Sequence, residues 1–151
     1  MTSLFSKIIA GELPSHRVYD DEYFVAFLDI NPIQRGHTLV VPRQEIDRFF
    51  DCSESVLQAS MPVAKRIARA IEQVVPCNRI GVMIAGLDVP HAHVHLVPIQ
   101  TTGDLSFAQA QPGNSSELAA LAIQIQSVLW VTQWQWRYNN IVKSRRLLVM
   151  C

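Results

Sequence analysis

The chain has 151 residues, of which 49% are hydrophobic and 17% are charged, as expected for one globular domain that buries its own core. Thirteen basic residues balance thirteen acidic ones, which excludes the broad cationic surface that binds DNA or RNA backbones irrespective of sequence. The sequence also lacks a run of about eighteen apolar residues that could cross a bilayer. We therefore expect neither a nucleic-acid partner nor a membrane partner.

The three cysteines are odd in number and widely spaced, at Cys52, Cys77 and Cys151. This spacing favours reduced thiols in a cytoplasmic protein over a disulfide framework or a zinc knuckle. The first ten residues hold too few consecutive apolar residues for the central region of a signal peptide. We therefore expect the protein to be cytoplasmic.

The amino-terminal part of the chain predicts one short helix followed by three strands. Apolar residues recur at helical spacing over residues 3–10, where Ser3 can cap the helix. Strand-forming residues over 16–28 are interrupted by an acidic turn at 20–22, which predicts two antiparallel strands. A third strand is predicted over residues 37–41.

Between residues 43 and 75 the pattern changes to that of a long helix, because apolar residues recur at intervals of three and four and Asp51, Cys52 and Ser53 offer capping groups for its start. Pro62 lies inside this pattern and predicts a kink or a break. A strand is predicted over residues 79–85. After a long loop over residues 100–116, a last helix is expected to run to about residue 129.

Three of the five histidines occupy alternate positions between residues 90 and 98, as His91, His93 and His95. Alternate residues of an extended strand share one face, so we expect the imidazoles on a solvated face and the apolar residues between them on the other. Neighbouring imidazoles at this spacing can share a phosphate-sized ligand. They can also bind one zinc ion with further ligands, or serve a purely structural role.

Residues 90–98, Pro-His-Ala-His-Val-His-Leu-Val-Pro, resemble the signature of the histidine triad family. The resemblance extends from about residue 4 to about residue 107. It implies an α+β fold with an antiparallel sheet of about five strands, a long central helix, a short amino-terminal helix, and a homodimer. We assign residues 1–110 to this nucleotide-binding hydrolase domain, and residues 111–151 to a carboxy-terminal helix and an aromatic and basic tail of the same domain.

The resemblance also implies roles for individual residues. His93 is expected to be a nucleophile that forms a covalent nucleotidyl intermediate, while His91 and His95 orient it, hold phosphate oxygens and manage protons. His37 matches the place of a fourth histidine near the phosphate. Asp29 is expected to accept hydrogen bonds from two ribose hydroxyls, which suits the two oxygens of a carboxylate. Taken alone, Asp29 is equally consistent with a turn residue.

Further candidate substrate-binding residues are the apolar walls of a nucleobase pocket, Phe5, Ile8, Phe27 and Ile30. Asp88 is included as well, although Leu87 and Asp88 replace the glutamine and small hydroxyl residue that family members commonly carry after a glycine. The hydroxyl residue is thought to help the leaving group, so the role of Asp88 is open.

The amino-terminal helix departs from the family at two positions. In many members the corresponding segment carries a Cys-x-x-Cys pair that helps to hold a structural zinc ion. Here the two positions are Ser3 and Ser6. Serine is a poor zinc ligand, so we expect no metal at these residues.

A row of imidazoles can act on phosphorus, because a neutral ring is nucleophilic near pH 7 and a neighbouring ring can donate a proton. The resemblance implies hydrolysis of a nucleoside 5′-monophosphate, such as AMP, from its leaving group without a metal or cofactor, with cationic imidazoles and backbone donors stabilising the charge. We favour the purine nucleoside phosphoramidase branch. Alternatives are a dinucleoside polyphosphate hydrolase, a non-catalytic nucleotide-binding protein and a zinc-dependent hydrolase.

The last 22 residues combine Trp130, Trp134, Trp136 and Tyr138 with basic and apolar residues. Such a tail can pack on a dimer mate, stack the bases of a single-stranded nucleic acid, or extend this chain alone. Packing is the commoner role of tryptophan, and the family resemblance does not cover this region.

Overall fold

The computed structural model describes residues 2–147 and the side chains of residues 2–131. All neighbouring strands are antiparallel, in the order β1-β2-β3-β5-β4. This sheet, one long central helix and a short amino-terminal helix confirm the predicted α+β fold. In chain order the elements are α1 (Leu4–Ala10), β1 (Arg17–Asp20), β2 (Phe24–Leu28), β3 (Thr38–Pro42), α2 (Glu54–Val74), β4 (Arg79–Met83), β5 (Val94–Ile99) and α3 (Ser115–Leu147).

The sheet separates two cores because successive side chains of a strand point to opposite faces. The even-numbered residues of β2 pack with α2 and α3 in the helix-side core. The odd-numbered Val25 and Phe27 pack with Phe5 of α1 in the α1-side core. In β5, Leu96 belongs to the helix-side core, so the neighbouring His95 points to the face that α1 covers.

The helix-side core joins α2 and the first half of α3 to the sheet. Ser53 caps α2 by accepting a hydrogen bond from the amide of Val56 at 3.4 Å. Gln126 of α3 donates to the carbonyl of Arg17 in β1 at 2.6 Å, which fixes α3 beside that edge of the sheet. The buried residues of α2 and α3 recur at intervals of three and four; they are Val56, Ser60, Val63, Ala64, Ile67, Ala70 and Ile71 in α2, and Leu118, Leu121, Ala122 and Ile125 in α3.

Gly36 makes the tight turn that places His37 at the start of β3. Its φ of +90° lies in the left-handed region that side-chain-bearing residues rarely adopt. A Cβ atom here would lie 3.0 Å from Val75 Cγ2 and 3.2 Å from Pro98 Cγ. Both backbone conformation and space therefore require glycine immediately before His37.

Four predicted boundaries were wrong. The histidine strand begins at Val94 instead of residue 90, β4 ends at Met83 instead of residue 85, and α2 continues without a break through Pro62. The last helix extends to Leu147 instead of about residue 129. Trp130 is exposed, whereas Trp134, Trp136 and Tyr138 have side chains outside the described residues, so the roles considered for the tail stay predictions.

Over residues 2–147, none of the helices combines the length and apolar character that crossing a membrane requires.

Candidate active site

The three histidines of the triad meet on the α1 face of the sheet. His91 and His93 lie in the segment that leads into β5, and His95 lies within β5. Their exposed fractions are 0%, 6% and 5%, so the predicted solvated face was wrong. The cause is α1, whose Phe5 packs edge-to-face on His93 with ring centroids 5.0 Å apart.

The position of the proton on His93 follows from a single hydrogen bond. Nδ1 of His93 lies 2.6 Å from the main-chain carbonyl oxygen of His91. A carbonyl oxygen can only accept, so Nδ1 carries the hydrogen. In the neutral ring, Nε2 then keeps a free electron pair, which is the form a nucleophile needs.

His37 and His95 form a second hydrogen-bonded pair whose polarity is set by the backbone. The amide of Ile33 donates to Nδ1 of His37 at 3.1 Å, which leaves the His37 hydrogen on Nε2. That nitrogen lies 2.9 Å from Nδ1 of His95, which therefore accepts. The remaining hydrogen of His95 must be on Nε2, so this nitrogen is a donor.

Two nitrogen atoms are left open for a ligand, the Nε2 atoms of His93 and His95. Neither has a hydrogen-bond partner among the described residues. In the same part of the chain, every fully buried side-chain nitrogen or oxygen has a partner, so these two atoms must reach solvent. The rings of His93 and His95 lie 4.7 Å apart between centroids, which brings an electron-pair donor and a hydrogen donor together.

The His37–His95 pair is neutral near pH 7. Burial, together with the nearby His93, lowers the pKa of His37 to about 4. Burial, His93 and His37 lower the pKa of His95 to about 3. This neutral pair differs from the expected cationic imidazoles. Removing a charged ring from water costs more free energy than its interactions with the surrounding residues recover. Phosphate oxygens would meet neutral donors.

His91 has both ring nitrogens engaged. Nε2 donates to the main-chain carbonyl of Pro42 at 2.8 Å, and Nδ1 lies 2.8 Å from the hydroxyl of Ser3. Burial lowers the pKa of His91 as well. Its ring is therefore not free to hold phosphate oxygens, which leaves only the orienting part of its expected role.

Asp29 acts as a turn residue, while its contact with ribose stays a prediction. One carboxylate oxygen accepts from the amide of Asn31 at 2.8 Å, as in an Asx-turn. The other lies 3.6 Å from Nδ1 of His37, and the amide of Asp29 donates to the carbonyl of His37 at 2.9 Å. Burial raises the pKa of this carboxyl group. Asp29 thus closes the turn and faces the His37–His95 pair.

The apolar candidates separate into two groups. Phe5, Ile8 and Phe27 lie together in the α1-side core, with the rings of Phe5 and Phe27 5.5 Å apart. Ile30 is 63% exposed and lies outside that core. Asp88 is exposed in the bend between β4 and β5, and no described hydrogen bond joins it to the histidines.

Several contacts of the site gave no usable signal in the sequence. Ser3 hydrogen-bonds to His91, and Glu45 accepts from the amide of Ser3, but they lie 88 and 46 residues from His91 in sequence, and only tertiary folding brings them together. Phe107, in a loop after β5, packs edge-to-face on His95 with centroids 5.1 Å apart. Phe107 lies in a loop without a periodic pattern, so the sequence gave no indication of this contact.

Two groups of residues bear on metal binding. Ligand atoms of Asp29, His37 and His95 lie within 4.8 Å of one another, but both nitrogens of His37 are already hydrogen-bonded, so a metal ion would have to break one of these bonds. At α1, the hydroxyl oxygens of Ser3 and Ser6 lie 3.1 Å apart. Hydroxyl groups are poor zinc ligands, so this second group does not fit a zinc ion.

Comparisons with known proteins identify the relatives of this chain. The sequence profile of the HIT domain matches residues 10–102. Protein Hit of Bacillus subtilis is 38% identical over 108 residues, which cover 67% of this chain and 73% of that protein. The adenosine 5′-monophosphoramidase of Saccharomyces cerevisiae is 37% identical over 100 residues, covering 63% of this chain and 61% of the yeast protein.

Among solved structures, a zinc-bound histidine triad family protein from Mycobacterium smegmatis has a TM-score of 0.77 at 28% identity, covering 89% of this chain and 98% of that one. A hypothetical histidine triad nucleotide-binding protein from Sulfolobus tokodaii has a TM-score of 0.73 at 28% identity, covering 83% and 90% of the two chains.

Proposed function

This chain belongs to the histidine triad family of nucleotide-binding hydrolases and transferases, and we propose that it hydrolyses nucleoside 5′-monophosphoramidates through a covalent intermediate on His93. The observation that carries the proposal is the hydrogen bond from Nδ1 of His93 to the carbonyl of His91 at 2.6 Å. This hydrogen bond leaves the electron pair of His93 Nε2 free, beside the ring of His95. The yeast relative supports an AMP conjugate as the substrate class.

In the first step, the Nε2 electron pair forms a bond to phosphorus while the bond from phosphorus to the amine breaks. The ring gains positive charge and keeps its Nδ1 hydrogen, so the carbonyl of His91 stabilises the intermediate. Nε2–H of His95 donates to a phosphoryl oxygen. The departing amine takes up one proton.

In the second step, water forms a bond to phosphorus and the bond to Nε2 breaks. The proton that the water loses balances the one that the amine gained. The products are a nucleoside 5′-monophosphate and a free amine, and His93 regains its starting form. No step draws on a metal or another cofactor.

The nucleotide itself is expected to contact residues on the same face. A carboxylate oxygen of Asp29 is available to a ribose hydroxyl, and Phe5, Ile8 and Phe27 with the exposed Ile30 are proposed to flank the base. Asp88 is retained as a candidate for contact with the leaving group, because it is exposed before the triad. The free thiols of Cys52 and Cys77 support a cytoplasmic setting.

The test is the release of amine from adenosine 5′-phosphoramidate, measured beside cleavage of a diadenosine polyphosphate and repeated with a chelator. We expect amine release that resists the chelator. An acid-sensitive AMP adduct of the protein should appear by mass spectrometry after rapid quenching. Cleavage of the polyphosphate alone would mean that the leaving group is a nucleotide and not an amine. Binding of AMP in calorimetry without turnover of either compound would contradict hydrolysis.

We further propose a homodimer that forms along β4. This strand lies at the edge of the sheet, where its main-chain groups on one side lack a neighbouring strand. Val82 and, just beyond the strand, Ile84 are 48% and 40% exposed, which gives the edge an apolar surface. We expect Val82→Lys to lower the mass seen by light scattering from that of a dimer to that of a monomer. A parent protein that is already monomeric would contradict the proposal.

A further inference from the structure

Four side chains connect α1 and the loop after β3 to the triad: Ser3, Ser6, Glu45 and His91. The carboxylate of Glu45 accepts from the amide of Ser3 at 3.0 Å and from the hydroxyl of Ser6. The hydroxyl of Ser3 lies 3.1 Å from that of Ser6 and 2.8 Å from Nδ1 of His91. The cluster runs from the exposed Glu45 to a fully buried imidazole.

The hydrogens of this cluster can be assigned one by one. The hydroxyl of Ser6 donates to Glu45, because a carboxylate only accepts. Nε2 of His91 donates to the carbonyl of Pro42, so in the neutral ring Nδ1 must accept. The single hydroxyl hydrogen of Ser3 is therefore directed to Nδ1 of His91, its nearer partner. Burial lowers the pKa of His91, which agrees with a neutral ring.

This arrangement places hydrogen bonds where many members of the family carry a Cys-x-x-Cys pair that helps to hold a zinc ion. Ser3 and Ser6 stand at the positions of the Cys-x-x-Cys pair, and their hydroxyls are already used within the cluster. A zinc ion would have to displace those bonds and accept two weak ligands in exchange. The cluster therefore holds α1 against the triad without a metal.

We propose that Ser3 is a positioning residue for the nucleophile: by anchoring the ring of His91, it holds the His91 carbonyl that keeps the hydrogen of His93 on Nδ1. Only the expected change in kcat rests on the proposed function.

Only His91 lies between Ser3 and the nucleophile His93 in this chain of hydrogen bonds. The ring of His91 is pinned at both ends, by Ser3 on α1 and by the carbonyl of Pro42 at the end of β3. The carbonyl of the same residue accepts from His93 at 2.6 Å, so a shift of His91 moves the group that fixes the His93 tautomer. Phe5, two residues after Ser3, packs edge-to-face on His93, so α1 restrains the nucleophile on a second side.

Ser3 also caps α1 by accepting from the amide of Ser6 at 3.0 Å, and the experiment must separate the two roles. Glycine is nearly as good an N-cap as serine, whereas alanine is poor, and neither can donate to His91. Threonine keeps both the cap and the donor. The informative set is therefore Ser3→Gly, Ser3→Ala and Ser3→Thr, each compared with the parent for melting temperature, kcat, KM and the ¹⁵N shifts of the labelled histidine rings.

We expect Ser3→Gly and Ser3→Ala to lose about tenfold in kcat, the rate equivalent of one buried hydrogen bond, with KM changed less than about twofold. In both variants the His93 ring shifts should move from the pure Nδ1–H form towards averaged values. Ser3→Thr should restore both properties. Both Ser3→Gly and Ser3→Ala should lower the melting temperature, because Nδ1 of His91 loses its buried donor, and Ser3→Ala should lower it further because it also loses the helix cap.

Two results would overturn the proposal. One is a Ser3→Gly variant with the kcat and the ring shifts of the parent. The other is a loss of kcat that follows the melting temperature, with Ser3→Ala impaired and Ser3→Gly normal, since that pattern belongs to helix capping. If the parent does not cleave the phosphoramidate, the proposed function fails, and the ring shifts of the same variants still decide the role of Ser3.

Discussion

The variant His93→Ala is expected to lose at least about 10,000-fold in kcat for adenosine 5′-phosphoramidate, in the range seen when a covalent nucleophile is removed. In the proposed mechanism the free Nε2 electron pair of His93 bonds to phosphorus, and neither neighbour can replace it. His91 has both nitrogens engaged, and Nδ1 of His95 accepts from His37. The AMP adduct should also disappear from the quenched mass spectrum.

His16→Ala is the matched control, because His16 is the one histidine of the sequence outside the site and the His37 pair. It should keep the kcat of the parent within about twofold, as expected for a half-buried side chain that no described hydrogen bond joins to the triad. Calorimetric binding of AMP checks that His93→Ala keeps a formed pocket. Retention of more than about a tenth of the activity by a folded His93→Ala protein would assign the nucleophile to another group.

The free energy of unfolding is expected to fall by several kcal/mol as the pH drops from about 6.5 to about 4, because of the His37–His95 pair. In the unfolded chain both rings bind a proton near their ordinary pKa. In the folded protein, burial lowers the pKa of His37 to about 4 and that of His95 to about 3. Between these values the unfolded state holds more protons, so this stabilising contribution is complete above about pH 6.5 and is lost below it.

Urea unfolding followed by circular dichroism at a series of pH values measures this loss. Asp29 acts in the opposite direction, since burial raises its pKa, but it is a single group against two. In His95→Gln the amide oxygen can still accept from His37, and one titrating ring is gone, so the fall should be shallower. His16→Gln should keep the slope of the parent. A free energy of unfolding that stays constant from pH 7 to pH 4 would contradict the prediction.

The spacing of the triad predicted which residues share a face of the sheet, but not what surrounds the histidines. Alternation did place the histidines opposite Ala92, Val94 and Leu96, which lie in the helix-side core. It could not indicate that α1 covers the histidine face, because that depends on contacts between distant residues. Nor did it predict the strand boundary. The amide of Ala92 donates to the carbonyl of Ile46 at 2.6 Å, so a loop takes the place of a neighbouring strand there.

Apolar periodicity also predicted only part of the helices. The periodic apolar residues of α2 predicted its course, and the position of Pro62 in its third turn did not break it. In α3 the regular spacing predicted the half that packs against α2, up to about residue 129. The remaining helix continues to Leu147 without such a pattern, so periodicity gave no basis for predicting it.

The direction of the His37–His95 hydrogen bond is determined by the main-chain amide of Ile33, and a main-chain group is insensitive to most amino-acid replacements. Any residue with an amide hydrogen at position 33 can hold the proton order of the pair, provided that its side chain fits the small core with Val97 and Ile99. Proline alone among the standard residues lacks this hydrogen. The tautomer of His37 thus depends on the fold of this turn, and proline is the one replacement at position 33 that directly removes the amide hydrogen.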